Sequence, residues 1–160
     1  MAHTSIRPSH LLFLLVYLLT ASWCRADENF VPSRALWRSA DVVNYVYQYE
    51  KSCDCHRDET AATIVTVAGG RIVAVRYSRD DYLDDIPVAE KEYQWFRTID
   101  DLFVLIETAT QHAMTLRVAY DPMHGYPNYI YIDYDHSLVG DEVEIEVTSL
   151  SISDERIDRQ

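Results

Sequence analysis

Glycine and cysteine are scarce in this 160-residue chain, with four and three copies respectively. The first scarcity excludes collagen-like and low-complexity architectures; the second excludes a cystine-dense mini-scaffold. Basic residues are few as well: 14 Lys and Arg face 26 Asp and Glu, for a net charge of −12 and a pI near 4.7. A nucleic-acid binder needs a basic face for phosphates, so that class is excluded, as is electrostatic docking on anionic lipid. The sequence holds no Gly-x-Ser-x-Gly elbow, no phosphate-binding glycine loop and no His-Glu-x-x-His pair. His124 or His136 could be joined to some Ser and Asp, but almost any chain of this length offers such a set. An enzyme therefore ranks below a binding module, and no cofactor or metal is called for. What is present is ordinary for a folded domain: 48% hydrophobic and 25% charged residues.

The chain opens on Arg7 in a short polar start, followed by an apolar run from Leu11 to Leu19. A bilayer span needs about 20 apolar residues. This run is shorter and has the length of a signal-peptide core, with small residues after it. Residues 1–26 are expected to be a signal peptide, because Cys24-Arg25-Ala26 puts acceptable residues at the −3 and −1 places. The competing expectation is a lipid-modified Cys24; there a bacterial lipoprotein signal wants a small residue in the preceding place, which Trp23 occupies. Simple secretion ranks first. Removal of residues 1–26 takes away two arginines and no acid, moving the charge from −12 to −14 and leaving 134 of the 160 residues. That length fits one domain with a core of its own and, on this reading, no transmembrane span. The expected setting is secreted or periplasmic, an oxidising place in which cysteines are read first as disulfides.

Residues 27–32 read as a loose lead-in, and residues 33–152 as a single domain. Ser33 is placed to cap a short helix over 34–40. Tyr45, Tyr47 and Tyr49 alternate at the period of a strand, with Cys53 next on the same face. Thr63–Val67 and Arg71–Val75 are apolar runs separated by Gly69-Gly70, the signal of a tight hairpin, since both glycines accept positive φ. Residues 78–95 carry Asp80, Asp81, Asp84, Asp85 and Pro87 and read as a solvated surface loop; their spacing is not that of a calcium loop. Thr98 opens a helix whose Ile99, Leu102, Phe103, Ile106 and Ala109 recur at three and four, with Asp100 and Asp101 in its first turn. It should end near Ala113, leaving His112 as a partner for the helix dipole. Three further strands follow, around Leu116-Val118-Tyr120, Ile130-Ile132-Tyr134 and Val143-Ile145-Val147. Residues 153–160 read as a polar tail. The order is helix, three strands, helix, three strands. Short turns between strands imply an α+β fold: an antiparallel sheet with the helices on one face.

One string is recognisable: Tyr120-Asp121-Pro122, Gly125-Tyr126-Pro127, Ile130, Ile132-Asp133 and Asp141-Glu142. It is preceded by the Tyr-x-Tyr-x-Tyr strand, Ser52-Cys53-Asp54-Cys55 and the Val-x-Val hairpin. In this order the pattern resembles a bacterial secreted or lipoprotein domain family of unknown function, over about Leu36 to Ser149. The resemblance implies an envelope or extracellular setting and this α+β order, and it implies no reaction.

Two segments concentrate the chemistry. In Cys53-Asp54-Cys55 an ideal strand would hold the two Cα atoms roughly 6.5–7 Å apart, at the outer limit for a disulfide. A bond between them therefore needs a bend. Three roles compete: a local structural disulfide, a labile redox-active bond, and a metal site that adds His56 but has no second Cys/His pair to complete it. The second segment is Asp121-Pro122-Met123-His124-Gly125-Tyr126-Pro127, longer than a tight turn requires and stiffened by two prolines. Either it presents Tyr126 to a protein, peptide or glycan partner in the envelope, or Tyr126 folds back on the sheet with Asp121 capping the turn. Asp133, Asp135, Asp141 and Glu144 imitate calcium-loop spacing, but Leu138 stands where an EF-hand needs glycine.

Overall fold

A computed structural model describes residues 27–78 and 86–153. The expected signal peptide with Cys24, the loop acids Asp80, Asp81, Asp84 and Asp85, and all of the tail beyond Ser153 lie outside the described residues. The elements are α1 (Phe30–Ser39), β1 (Tyr45–Ser52), α2 (Arg57–Thr60), β2 (Thr63–Ala68), β3 (Arg71–Tyr77), a 3-10 helix (Glu90–Trp95), α3 (Ile99–His112), β4 (Thr115–Tyr120), β5 (Pro127–Asp133) and β6 (Val143–Ile152). The six strands form one sheet in the order β3-β2-β1-β6-β5-β4, and every neighbouring pair is antiparallel. This is the α+β fold expected, with two helix-then-three-strand runs that meet where β1 pairs β6.

Alternation explains the inner face. Tyr45, Tyr47 and Tyr49 of β1, Val65 and Val67 of β2, Ile130 and Ile132 of β5, and Ile145 and Val147 of β6 are all buried. Gly69 and Gly70 take φ of +57° and +72°, so the hairpin between β2 and β3 turns as its glycines allow. In α3 the stripe Ile99, Leu102, Phe103, Ile106 and Ala109 is buried, and the start is a capping box. Thr98 Oγ1 accepts from Asp101 N at 3.1 Å, and Asp101 accepts from Thr98 N at 3.1 Å.

Three local expectations are corrected. The first helix starts at Phe30, not after Ser33: Asp27 accepts from Asn29 N and Phe30 N, and this turn lets helix begin within the supposed lead-in. Pro32 is tolerated because it lies in the first turn, where its missing N–H is not needed. The described part of the acidic stretch is not a loose loop. Tyr77 N donates to Ile86 O at 3.0 Å, Val88 N to Val75 O at 2.9 Å, and Val88 is buried. Glu90–Trp95 then forms the 3-10 helix, which ends as Phe96 enters the core. Tyr134 lies beyond β5 and is exposed, while Asp133 before it is buried.

The two layers join through the β1 tyrosines. Burying a phenol without a partner is costly, and two of these have partners. Tyr45 OH accepts from Ile99 N at 3.0 Å, and Tyr47 OH donates to Arg97 O. Trp37 of α1 meets Tyr45 edge-on at 5.5 Å between ring centres, and Phe96 meets Tyr49 at 5.9 Å. Desolvation by burial pushes the pKa of all three phenols above the ordinary value. In the unfolded chain they ionise near pH 10. The neutral form is thus favoured by folding, so the stability they supply is whole below that pH and is lost as pH rises toward the raised values. Urea unfolding between about pH 8 and pH 11 should show stability level at first and then falling by about 1.4 kcal/mol per pH unit for each such phenol. Stability that stays level to pH 11 would contradict this account of the core.

Candidate functional site

The Cys53-Asp54-Cys55 segment starts where β1 stops, at Ser52. The chain bends there, which shortens the Cα separation to 5.3 Å, and Cys53 and Cys55 form a disulfide. Lys51 pairs with Glu59 of α2 at 2.8 Å, holding the chain after the bend against the strand before it. Asp54 packs on Gly140, whose φ is +93°: a Cβ there would lie 2.9 Å from Asp54 Oδ2. The ring of His56 lies 6.3 Å from that of Trp95. A bridge between residues two apart closes so small a loop that it constrains the unfolded chain little. Among the described residues, no group of three or more His, Cys, Asp or Glu could hold a metal ion.

The Asp121–Pro127 loop is built as a clamp. Asp121 Oδ1 accepts from Met123 N at 3.0 Å and His124 N at 2.7 Å, and His124 Nδ1 lies 3.2 Å from it. Gly125 N donates to Asp121 O, and Asp121 N to Tyr126 O. Gly125, Tyr126 and Pro127 are buried, whereas Pro122 and Met123 are exposed. The Tyr126 ring meets Trp37 edge-on at 6.4 Å, so this aromatic faces α1. Burial, with the Asp121 charge second, raises its pKa. Of the residues singled out in the sequence, the loop turns Pro122 and Met123 fully outward and leaves Asp121 and His124 half-exposed.

Thr115, His136 and Asp133 meet, but not as a proton relay. Thr115 Oγ1 is 2.7 Å and Asp133 Oδ2 3.4 Å from the same nitrogen, His136 Nε2. A relay requires the carboxylate on the opposite ring nitrogen. Nearby, the Ser137 hydroxyl and N–H donate to Asp135 and hold its carboxyl below the usual range. Asp141 accepts from Asp135 N at 2.7 Å. These acids brace the connection from β5 to β6.

Two openings lie along β4. A cavity of about 630 Å³ is lined by Ala109 of α3, Ala113 just past its end, Asp27, Leu116, Arg117 and Val118. A second of about 540 Å³ is lined by Pro32 and Leu36 of α1, Val118, Tyr120, Asp121 and Pro122. Between them Tyr120 OH donates to Asp27 at 2.7 Å, and the Tyr120 ring stacks on Phe103. The inward-facing Leu116, Val118 and Tyr120 are therefore only half-buried, unlike their counterparts on β1, β5 and β6. Their alternation was visible in the sequence. That β4 is an outer strand was not, because strand order rests on pairings distant in the chain. The loop's dependence on close approach to α1 is directly testable. A Cβ on Gly125 would collide with Ser33 O and press on Leu36 Cβ at 3.0 Å, at a φ of +78°. Gly125→Ala should cost roughly 2–5 kcal/mol in chemical unfolding; a loss under about 0.5 kcal/mol, typical of a neutral surface change, would mean the clamp does not matter.

No curated protein and no solved structure matches the chain. Residues 29–152 match a family of unknown function (DUF6174), a stretch that runs from the residue before α1 to the last residue of β6. The chain belongs to that family.

Proposed function

We propose that this is an exported, secreted or periplasmic domain that binds a protein or peptide partner instead of catalysing a reaction, and that the partner seats in the groove between α1, the end of α3 and β4. The observation that carries this reading is the half-buried trio Leu116, Val118 and Tyr120 beside two cavities of about 630 and 540 Å³. Concave, partly apolar surface next to rigid elements is where ligands gain most from desolvation. The exposed Pro122 at the rim brings the Asp121–Pro127 loop into the same site. Export rests on the apolar run at Leu11–Leu19 and on Cys24-Arg25-Ala26.

A second reading, thiol-disulfide exchange, is favoured by one observation: Cys53 and Cys55 are bonded across a single intervening residue. Equilibration of the folded protein with glutathione at envelope potentials would favour it; a bond that stays closed under those conditions assigns the pair to structure.

The binding reading is tested in the exporting cell, with a photo-crosslinking side chain placed at Leu36 or, as control, at Val139, which is fully exposed and lines neither cavity. A discrete adduct at Leu36 that is missing at Val139 supports it; no adduct at Leu36, or the same adducts at both, contradicts it. Intact mass of the exported chain reads processing: a start at Asp27 is expected, and a start at Cys24 carrying acyl chains would overturn simple secretion.

A further inference from the structure

The two edges of the sheet are treated differently. Beyond β3 the chain covers its own edge: Tyr77 N donates to Ile86 O, Val88 N donates to Val75 O, Arg76 bridges Pro87, and Val88 is 4% exposed. Beyond β4, among the described residues, no segment pairs; its one partner is β5. An uncovered edge presents main-chain donors and acceptors to any extended chain, and proteins ordinarily blunt it.

We propose that β4 is a docking edge on which an extended, basic polypeptide segment adds as a seventh strand. The proposal rests on the binding reading above and names how the partner is held. The direction of the main chain supports it. Asp121 N donates to Tyr126 O, toward the β5 side. Main-chain groups of a strand alternate in direction, so those of Ala119 and Arg117 also turn toward β5. The N–H and C=O of Leu116, Val118 and Tyr120 therefore turn to the open side. Side chains alternate as well, and these same three residues face the helix layer, where the two cavities share Val118 as a wall. An added strand places its residues i and i+2 on that face, about 6.5–7 Å apart. Two successive apolar side chains of the incoming segment thus fit one cavity each, completing the core where Leu116, Val118 and Tyr120 are only half-buried.

Charge selects among extended segments. Asp27 lines one cavity and Asp121 the other, and the chain carries −12 overall. Arg117, the one cation of β4, also borders the 630 Å³ cavity, while its guanidinium turns to the opposite face of the sheet, 5.3 Å from the centre of the Tyr131 ring. A basic segment is drawn to the net negative charge of the chain and an acidic one is repelled; with its apolar residues in the cavities, its basic residues fall on the other face of the sheet. This is main-chain recognition by strand addition, with alternate side-chain pockets supplying specificity.

The test uses the full chain as the cell exports it, labelled with nitrogen-15, and a capped peptide of alternating lysine and valine of about six residues, the length of a common strand. Binding is expected to shift the amides of Leu116, Val118 and Tyr120 and slow their exchange, with smaller shifts at Leu36 and Asp121. Replacing lysine by glutamate should weaken binding about tenfold or more, as should N-methylation of the peptide's alternate amides, which leaves the protein untouched. Val118→Pro removes an N–H on the open side, where an edge strand tolerates proline, and should abolish the shifts. Shifts at Leu36 and Asp121 without slowed exchange at Leu116 and Val118 would overturn strand addition while sparing the groove. No response to the lysine-valine peptide, or equal binding of the N-methylated peptide, also overturns it; crosslinking at Leu36 decides the groove independently.

Discussion

Three phenols in the central strand tie the helix layer to the sheet. Tyr45, Tyr47 and Tyr49 project from one face of β1 into a dry interior, each about 1% exposed or less. Two of them reach main-chain groups just where α3 begins: Ile99 N meets Tyr45 OH, and Arg97 O meets Tyr47 OH. Such bonds are worth little net but are expensive to leave unmade once the groups are buried. Between Arg97 and Ile99, Thr98 forms a capping box with Asp101, so the start of α3 is specified twice, by its own sequence and by β1. Trp37 stands on Tyr45 and Tyr126 and sets α1 beside it, and Gly125 lets the β4–β5 loop come up against Ser33.

Anchoring at β1 has a consequence at the rim. Trp37 of α1 and Ile99 at the start of α3 meet Tyr45 on the central strand β1, and α3 runs out near β4 with Ala109 and, just past its end, Ala113, side chains too small to cover Leu116 and Val118. The opposite rim receives Val88 and the 3-10 helix. One edge is thus covered by the chain itself from Val75 to Tyr77 and the other is left with cavities, and this asymmetry is the physical basis for assigning a partner to β4.

Much of the fold was legible locally. Alternating tyrosines mark β1, Gly69-Gly70 marks the hairpin, and the three-four repeat after Thr98 marks α3; in each, local preference and tertiary burial agree. The start of α1 was misplaced because Asp27, three residues ahead of Phe30, supplies the turn that Ser33 had seemed to supply as a cap. The stretch after Pro87 read as loop because its acids outweigh Val88, whose burial depends on β3. The Asp121–Pro127 loop was legible as ordered, and an inward Tyr126 was one of its two readings; that the ring meets Trp37 of α1, far away in sequence, was not legible. The groove was legible only as alternation: nothing in residues 115–120 states that their strand is last in the sheet.

Native-state hydrogen exchange, amide by amide, tests the edge asymmetry most directly. The account predicts that Tyr77 and Val88, whose N–H groups donate to Ile86 O and Val75 O, are protected, while Leu116 and Val118 on the open side of β4 exchange as readily as surface loops. Protection of Val118 equal to that of Tyr77 in the free protein would contradict it, because the β4 edge would then already be covered.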